Sequence, residues 1–323
     1  MKRMVGWYIL FAKGKPRGGL VRDGLIFLFV SLMMTGPVYS LDLTTVTPLF
    51  DIQHNFRQPS DVAVAGDGTI YVVDGVNQCI KAFDSNGKFL FLFGQAGSEP
   101  GQFHYPLGMD IDGAGRLYVA DSGNHRVQIF SAKGRFLNEI KLKFQSGKAP
   151  DPTDVAVDSA GTEIFVVDND NHCLYKYDLG TLALIEVIGN AGITRMEFRY
   201  PFMISMDRDK YLYIVDVINT RVQEMTRDGK FVQFIGDWGV EKGQFFRPKG
   251  VAVDTLGMVY VSDSYMGVIQ VFDHGVFHSV IGDGKKGELW RYNSPVGLFI
   301  DKKDRLYVVQ MFAERVSVFQ INR

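Results

Sequence analysis

Six prolines, Pro59, Pro106, Pro152, Pro201, Pro248 and Pro295, open the same pattern along this 323-residue chain, at intervals of 47, 46, 49, 47 and 47 residues. Each proline leads into a short apolar strand, a Gly/Asp turn, a second strand that in most units ends near Tyr-Val-x-Asp, a polar triplet and a third strand. A unit of this length cannot bury its apolar face alone and must stack on its neighbours. The period therefore constrains the fold before any single residue does.

The first unit shows the strands. Val62-Ala63-Val64 is a strand of small residues suited to a crowded axis, and Ala65-Gly66-Asp67-Gly68 is a turn in which glycine supplies positive φ. Thr69 to Val73 alternates and is rich in β-branched and aromatic residues. Cys79 to Phe83 is a third strand, Asp84-Ser85-Asn86-Gly87 a hairpin turn, and Lys88 to Phe93 a fourth strand. Four antiparallel strands per unit, repeated radially, predict an all-β fold, a six-bladed β-propeller over residues 41–323. The sixth unit stops at Arg323 without a fourth strand, while Pro48 to Gln53 resembles the fourth strands of other units. Residues 47–53 are thus expected to supply the outer strand of the last blade, pairing an edge that would otherwise be open.

Residues 1–40 stand outside the repeat. They carry Lys2, Arg3, Lys13, Lys15, Arg17 and Arg22, an apolar run from Gly24 to Met34, a Gly36-Pro37 breaker and Val38-Tyr39-Ser40. A basic head, a short apolar segment and such a triplet read as a secretory signal peptide. The run is shorter than the roughly 20 residues a bilayer span requires. The expected location is periplasmic or extracellular after cleavage near Ser40, with membrane contact only through a retained leader. Of 35 basic and 36 acidic residues the leader holds six and one, leaving 29 and 35, a net of −6. An acidic body argues against nucleic acid as a partner. Cys79 and Cys173 occupy the same slot of the first and third units. Units that are not neighbours hold them too far apart for a disulfide, so two separate thiols are expected.

The triplets read Asn77-Gln78-Cys79, Asn124-His125-Arg126, Asn171-His172-Cys173 and Asn219-Thr220-Arg221. With Val119 to Val127 and the Gly-Gln-Phe linkers at 101–103 and 243–245, they resemble the NHL repeat. The fifth and sixth units depart at the triplet, with Met266-Gly267-Val268 and Ala313-Glu314-Arg315. The resemblance implies a six-bladed propeller, a fold that hosts several functions. The resemblance also implies an exported or envelope protein as partner, multihaem cytochromes being one such class.

Asp74, Asp121, Asp168, Asp216 and Asp263 end the second strand of five units, and Gln310 breaks the series. A ring of carboxylates is the donor set calcium takes, but one Asp per repeat reads as a turn anchor bonded within its own Asp-x-x-Asn turn. Asp112, Asp158, Asp207, Asp254 and Asp301 at the first turns read the same way. His104, His125 and His172 are the donors for an open zinc site, yet the positions after the opening prolines, where the related peptide-amidating lyase is understood to place metal histidines, hold none. No cofactor is therefore assigned. What remains is the linkers, where His104, Tyr105, Arg199, Tyr200, Phe246, Arg247, Trp290 and Arg291 have the composition of interface hot spots. Phe103, Phe198 and Phe245 beside them are expected to plug the seams between blades. The reading is a non-enzymatic scaffold that docks another protein through its inter-blade loops. The alternative is a metal-dependent lyase or hydrolase at the mouth of the central channel.

Overall fold

The computed structural model describes residues 42–143, 148–207, 210–283 and 286–323. The leader, residues 1–40, lies outside the described residues. The fold is all-β and propeller-like. The first repeat forms one antiparallel sheet, Pro59–Val64, Ile70–Asp74, Cys79–Phe83 and Phe89–Phe93, with each strand paired to the next in sequence. The second, third and fourth repeats form equivalent four-stranded sheets, starting with Pro106–Ile111, Pro152–Val157 and Pro201–Asp207.

The fifth and sixth repeats are joined in one nine-stranded sheet. Leu43–Ile52 does the joining. Its residues Val46 to Ile52 run antiparallel to Arg315–Ile321, and its residues Leu43 to Thr45 run parallel to Val276–Asp283. The change of partner falls between Thr45 and Val46, and the antiparallel register shifts once further on, between Pro48 and Phe50. Among the described residues helix is confined to two single turns, Ser122–Asn124 and Met311–Ala313.

Burial explains the strand chemistry. Inner strands such as Pro59–Val64, Ile70–Asp74 and Cys79–Phe83 are buried throughout, which is why they read as nearly continuous apolar runs. The outer strand Phe89–Phe93 alternates half-buried and exposed. The apolar core lies between sheets. Tyr71 and Val73 of the first repeat pack with Leu117, Val119 and Phe130 of the second. Val296, Tyr307 and Val309 of the sixth pack with Val62, Ile70 and Val72 of the first.

The plugs sit in these seams. Phe103, Phe198 and Phe245 are fully buried, and so is Phe56. Each of the first three rings fills the space above a glycine at positive φ: a Cβ on Gly189 would stand 2.6 Å from Phe198 Cε2, and Gly94 and Gly236 meet Phe103 and Phe245 still more closely. Glycine is required there on both counts. In the last linker the plug is Tyr292, three residues before its proline like the others, and its buried hydroxyl has no hydrogen-bond partner among the described residues. Cys79 and Cys173 are both free and buried, and burial pushes their thiols up to about 11 and about 12.

Candidate functional site

The face that carries the linkers is built from a clip repeated round the molecule. The carboxylate ending each second strand reaches the linker that entered the same repeat. His104 N–H donates to Asp121 Oδ1 at 2.7 Å, Arg199 N–H to Asp216 at 2.7 Å and Arg57 N–H to Asp74 at 2.8 Å. Gly123 and Ile218, in the turns that follow, donate back to the carbonyls of His104 and Arg199. The other oxygen of each Asp takes the amide of the triplet asparagine, Asn77, Asn124 or Asn219, at 2.8 to 2.9 Å. The aspartates are structural and do more than anchor their turns: Asp168 and Asp263 accept turn N–H groups, from Asn171 and from Tyr265 and Met266, and every one of the five also accepts a linker N–H 17 residues upstream. Asp112, Asp254 and Asp301 do hold their own turns, each also taking a tyrosine hydroxyl from Tyr118, Tyr260 or Tyr307.

The clip displays side chains. Tyr105, Tyr200 and Ser294, each just before an opening proline, are held at φ of 52°, 55° and 52°, a region costly for residues with a Cβ. Tyr105 and Tyr200 are exposed there, with His104, Arg199, Phe246, Arg247 and Arg291. His104 lies against Tyr105 with ring centroids 4.9 Å apart. His172 lies edge-on to Tyr200 at 4.6 Å and accepts its N–H. Phe246 packs on Tyr265 at 4.3 Å, and Arg291 Nη1 donates to the Met266 carbonyl at 2.8 Å.

Trp290 differs from the rest of the set. It is half-buried and packs edge-on against Phe319 at 5.0 Å, so most of its surface serves the core between the fifth and sixth repeats. Tyr265, Phe202 and Lys249 join the face without having been picked out from the sequence. Lys249 had a signal: it is the charged residue in a slot that otherwise holds Ser60, Leu107, Thr153, Phe202 and Val296.

The three histidines do not converge. His104 Nδ1 faces the Gly123 carbonyl, His125 Nδ1 the Pro150 carbonyl, and His172 the Tyr200 amide. Among the described residues no group of three or more His, Cys, Asp or Glu side chains is placed to hold a metal ion. His125 and His172 share the left-handed conformation with Gln78, Thr220, Gly267 and Glu314 in the same triplet slot.

Below this face the central channel holds a cavity of about 200 Å³ lined in part by Asp61, Asp110 and Asp154. Asp61 and Asp154 are buried and staple neighbouring repeats: Met109 N–H donates to Asp61 and Ile204 N–H to Asp154, both at 2.9 Å. Gly297 and Gly108 make room for them, since a Cβ on either would strike the carboxylate. Burial raises the Asp61 carboxyl to about 7, and burial with the nearby Asp61 charge raises Asp154 well above the ordinary range.

A profile of the NHL repeat matches residues 56–83 and 103–130. NHL repeat-containing protein 3 of Mus musculus is 35% identical over 111 residues, covering 32% of this chain and 31% of that protein. Protein brain tumor of Drosophila melanogaster is 40% identical over 55 residues, 17% of this chain and 5% of that protein. The chain thus spans less than a third of the length of these relatives. Among solved structures, a streptogramin B lyase superposes with a TM-score of 0.63 at 13% identity, covering 86% of this chain and 98% of that one; at that identity the likeness is one of fold. The chain carries NHL repeats at residues 56–83 and 103–130.

Proposed function

We propose that this chain is a binding scaffold, a non-enzymatic, exported NHL-type propeller whose linker face docks another protein. The observation that carries the reading is the rigid display of aromatic and arginine side chains on one face: Tyr105, Tyr200 and Phe246 are exposed beside Arg199, Arg247 and Arg291, and the linkers that bear most of them are clipped to buried carboxylates. Pre-ordered aromatics lose little conformational freedom on binding, which is what interface anchors require. The arginines favour a partner that presents carboxylates.

We read the wheel as six-bladed, with the nine-stranded sheet as two blades joined edge to edge by Leu43–Ile52. The core clusters support this, because each draws on two consecutive repeats and the sixth packs on the first. Export rests on the composition of residues 1–40.

The test is capture of the partner by tagged protein from an extract of its native source, followed by affinity measurement with both proteins purified. Tyr105→Ala, Arg199→Ala and Phe246→Ala, each with a wild-type melting temperature, are expected to weaken binding by about tenfold or more apiece. Three variants that all bind like the parent would end the proposal for this face.

A further inference from the structure

Where the linker into the sixth repeat passes the turns of the fifth, the same face opens into a cavity of about 500 Å³. Its wall carries three cations, Arg247, Lys249 and Arg291, and four aromatic residues, Phe202, Tyr265, Tyr292 and Phe312, with no Asp or Glu among the lining residues. Lys249 is half-buried, and its ammonium stands 3.9 Å from the centre of the Phe202 ring. Burial, with the neighbouring Arg247 charge, lowers it to about 8.

Other inner cations of this protein are matched. Lys81 pairs with Asp74 at 2.6 Å, Arg126 with Asp121 at 2.9 Å, Arg221 with Asp216 at 3.0 Å and Lys176 with Glu163 at 3.2 Å. Among the described residues neither Lys249 nor Arg247 forms an ion pair. The fold does not ask for a cation in the Lys249 slot. In the first and third repeats Ser60 and Thr153 stand there and donate to the carbonyls of Leu107 and Phe202 in the next repeat, and Leu107, Phe202 and Val296 fill it elsewhere. A half-buried ammonium with no anion is costly, and its cost is relieved when an anion arrives from outside.

The rest of the wall limits what that anion belongs to. A free inorganic ion would leave Phe202, Tyr265 and Phe312 facing water. The volume lies within the range of small-molecule pockets, which combine apolar walls with a few converging polar groups. Arg247 adds a planar fork suited to a carboxylate, and Ser264 and Asn293 add neutral polar groups to the lining.

We propose that this cavity binds a carboxylate carried on an apolar or aromatic body, with Lys249 and Arg247 taking the carboxylate and Phe202, Tyr265 and Phe312 the body. The carboxylate has two sources, a free small acid or the C-terminus of a peptide ending in an apolar residue. The proposal rests on the linker face being open to a ligand, but its decisive residue, Lys249, is not among those that test docking.

The experiment titrates the purified full chain with N-acetylphenylalanine, its carboxamide, inorganic sulfate and N-acetyl-Gly-Gly-Phe by calorimetry. The acid is expected to bind about tenfold or more tightly than the carboxamide and than sulfate. Lys249→Met, shown to be folded by its melting temperature, is expected to lose that preference while its binding of the carboxamide is unchanged. Equal binding of acid and carboxamide, sulfate binding as tight as the acid, or an unaltered preference in Lys249→Met would each overturn the proposal. The tripeptide identifies the source: tighter binding than the single residue supports a peptide terminus, and equal binding supports a free acid. Partner capture that survives the Tyr105, Arg199 and Phe246 substitutions while Lys249→Met abolishes the acid preference upholds the pocket and ends the docking reading; the reverse pattern does the opposite.

Discussion

Gln310 Oε1 accepts the backbone N–H of Asn293 at 2.8 Å, in the sixth repeat, where every other repeat uses an aspartate for the same bond. The apparent break in the aspartate series is therefore a substitution that keeps the acceptor. What it drops is the charge. Lys81, Arg126 and Arg221 sit beside Asp74, Asp121 and Asp216, whereas Gln310 instead donates to Ser317 at 2.7 Å.

Removing the carboxylate where it also holds a buried guanidinium tests the clip. Asp121 is fully buried and accepts from His104 N, Asn124 Nδ2, Arg126 Nε and Gln128 Nε2. Asp121→Ala removes one of the two carboxylates paired with Arg126, which keeps Glu139 at 2.9 Å, and leaves the other donors unmatched, and should cost about 3 kcal/mol or more. Asp121→Asn keeps part of the acceptor capacity and should cost less. Urea denaturation ranks the two, and equal losses would show that the charge contributes nothing.

Gly94 and Phe103 form a second pair. At φ +89° any side chain on residue 94 is strained, and a Cβ would stand inside the ring contact. Gly94→Ala should lower stability by about 2 kcal/mol or more. Phe103→Leu in the same chain should recover part of the steric share and none of the backbone share. A double-mutant cycle on denaturation midpoints with no coupling between the two would contradict the contact.

Much of this was legible in the sequence because the repeat states each element several times over. The proline period, the four-strand unit and the seam phenylalanines needed only local pattern. The residues that were misread depend on contacts far apart in the chain. Asp121 looks like a turn anchor because Asn124 is three residues away, while its linker donor lies 17 back. Residues 47–53 read as one outer strand, and nothing in the composition tells that the strand begins at Leu43 and that its first residues pair in parallel with Val280 to Gly282. Tyr292 escapes a search for phenylalanine in the linkers, although counting back three from Pro295 marks it as the plug. Lys249 was visible as a letter, but its lack of an anion is a property of the folded surroundings.

The joining strand gives a prediction on stability. Deleting residues 42–52 removes the antiparallel partner of Arg315–Ile321 and the parallel partner of Val276–Asp283, together with Asp51, which pairs with Arg315 at 3.0 Å. Two strand edges are then bare and prone to associate. A large fall in melting temperature and loss of monodispersity in size-exclusion chromatography are expected. A deletion variant that melts as the parent does would remove this strand from the account of stability.

The channel carboxylates predict a pH dependence whose sign runs against ordinary acid unfolding. Asp61 is raised to about 7 by burial, and Asp154 is raised in the same direction, whereas both titrate near 4 in the unfolded chain. Between these values the native state holds more protons than the unfolded state, so each group favours folding below pH 4 and loses that contribution as pH rises through the folded value. The slope is at most about 1.4 kcal/mol per pH unit for each group. Asparagine at either position still offers an oxygen to Met109 or Ile204 N–H but does not ionise. Relative to the parent, Asp61→Asn and Asp154→Asn should therefore gain stability as pH increases from 5 to 8, read as a melting-temperature difference that grows with pH. A difference that stays constant or shrinks across that range would mean these carboxyls are ionised in the folded protein at neutral pH, and that water reaches the channel more freely than their burial indicates.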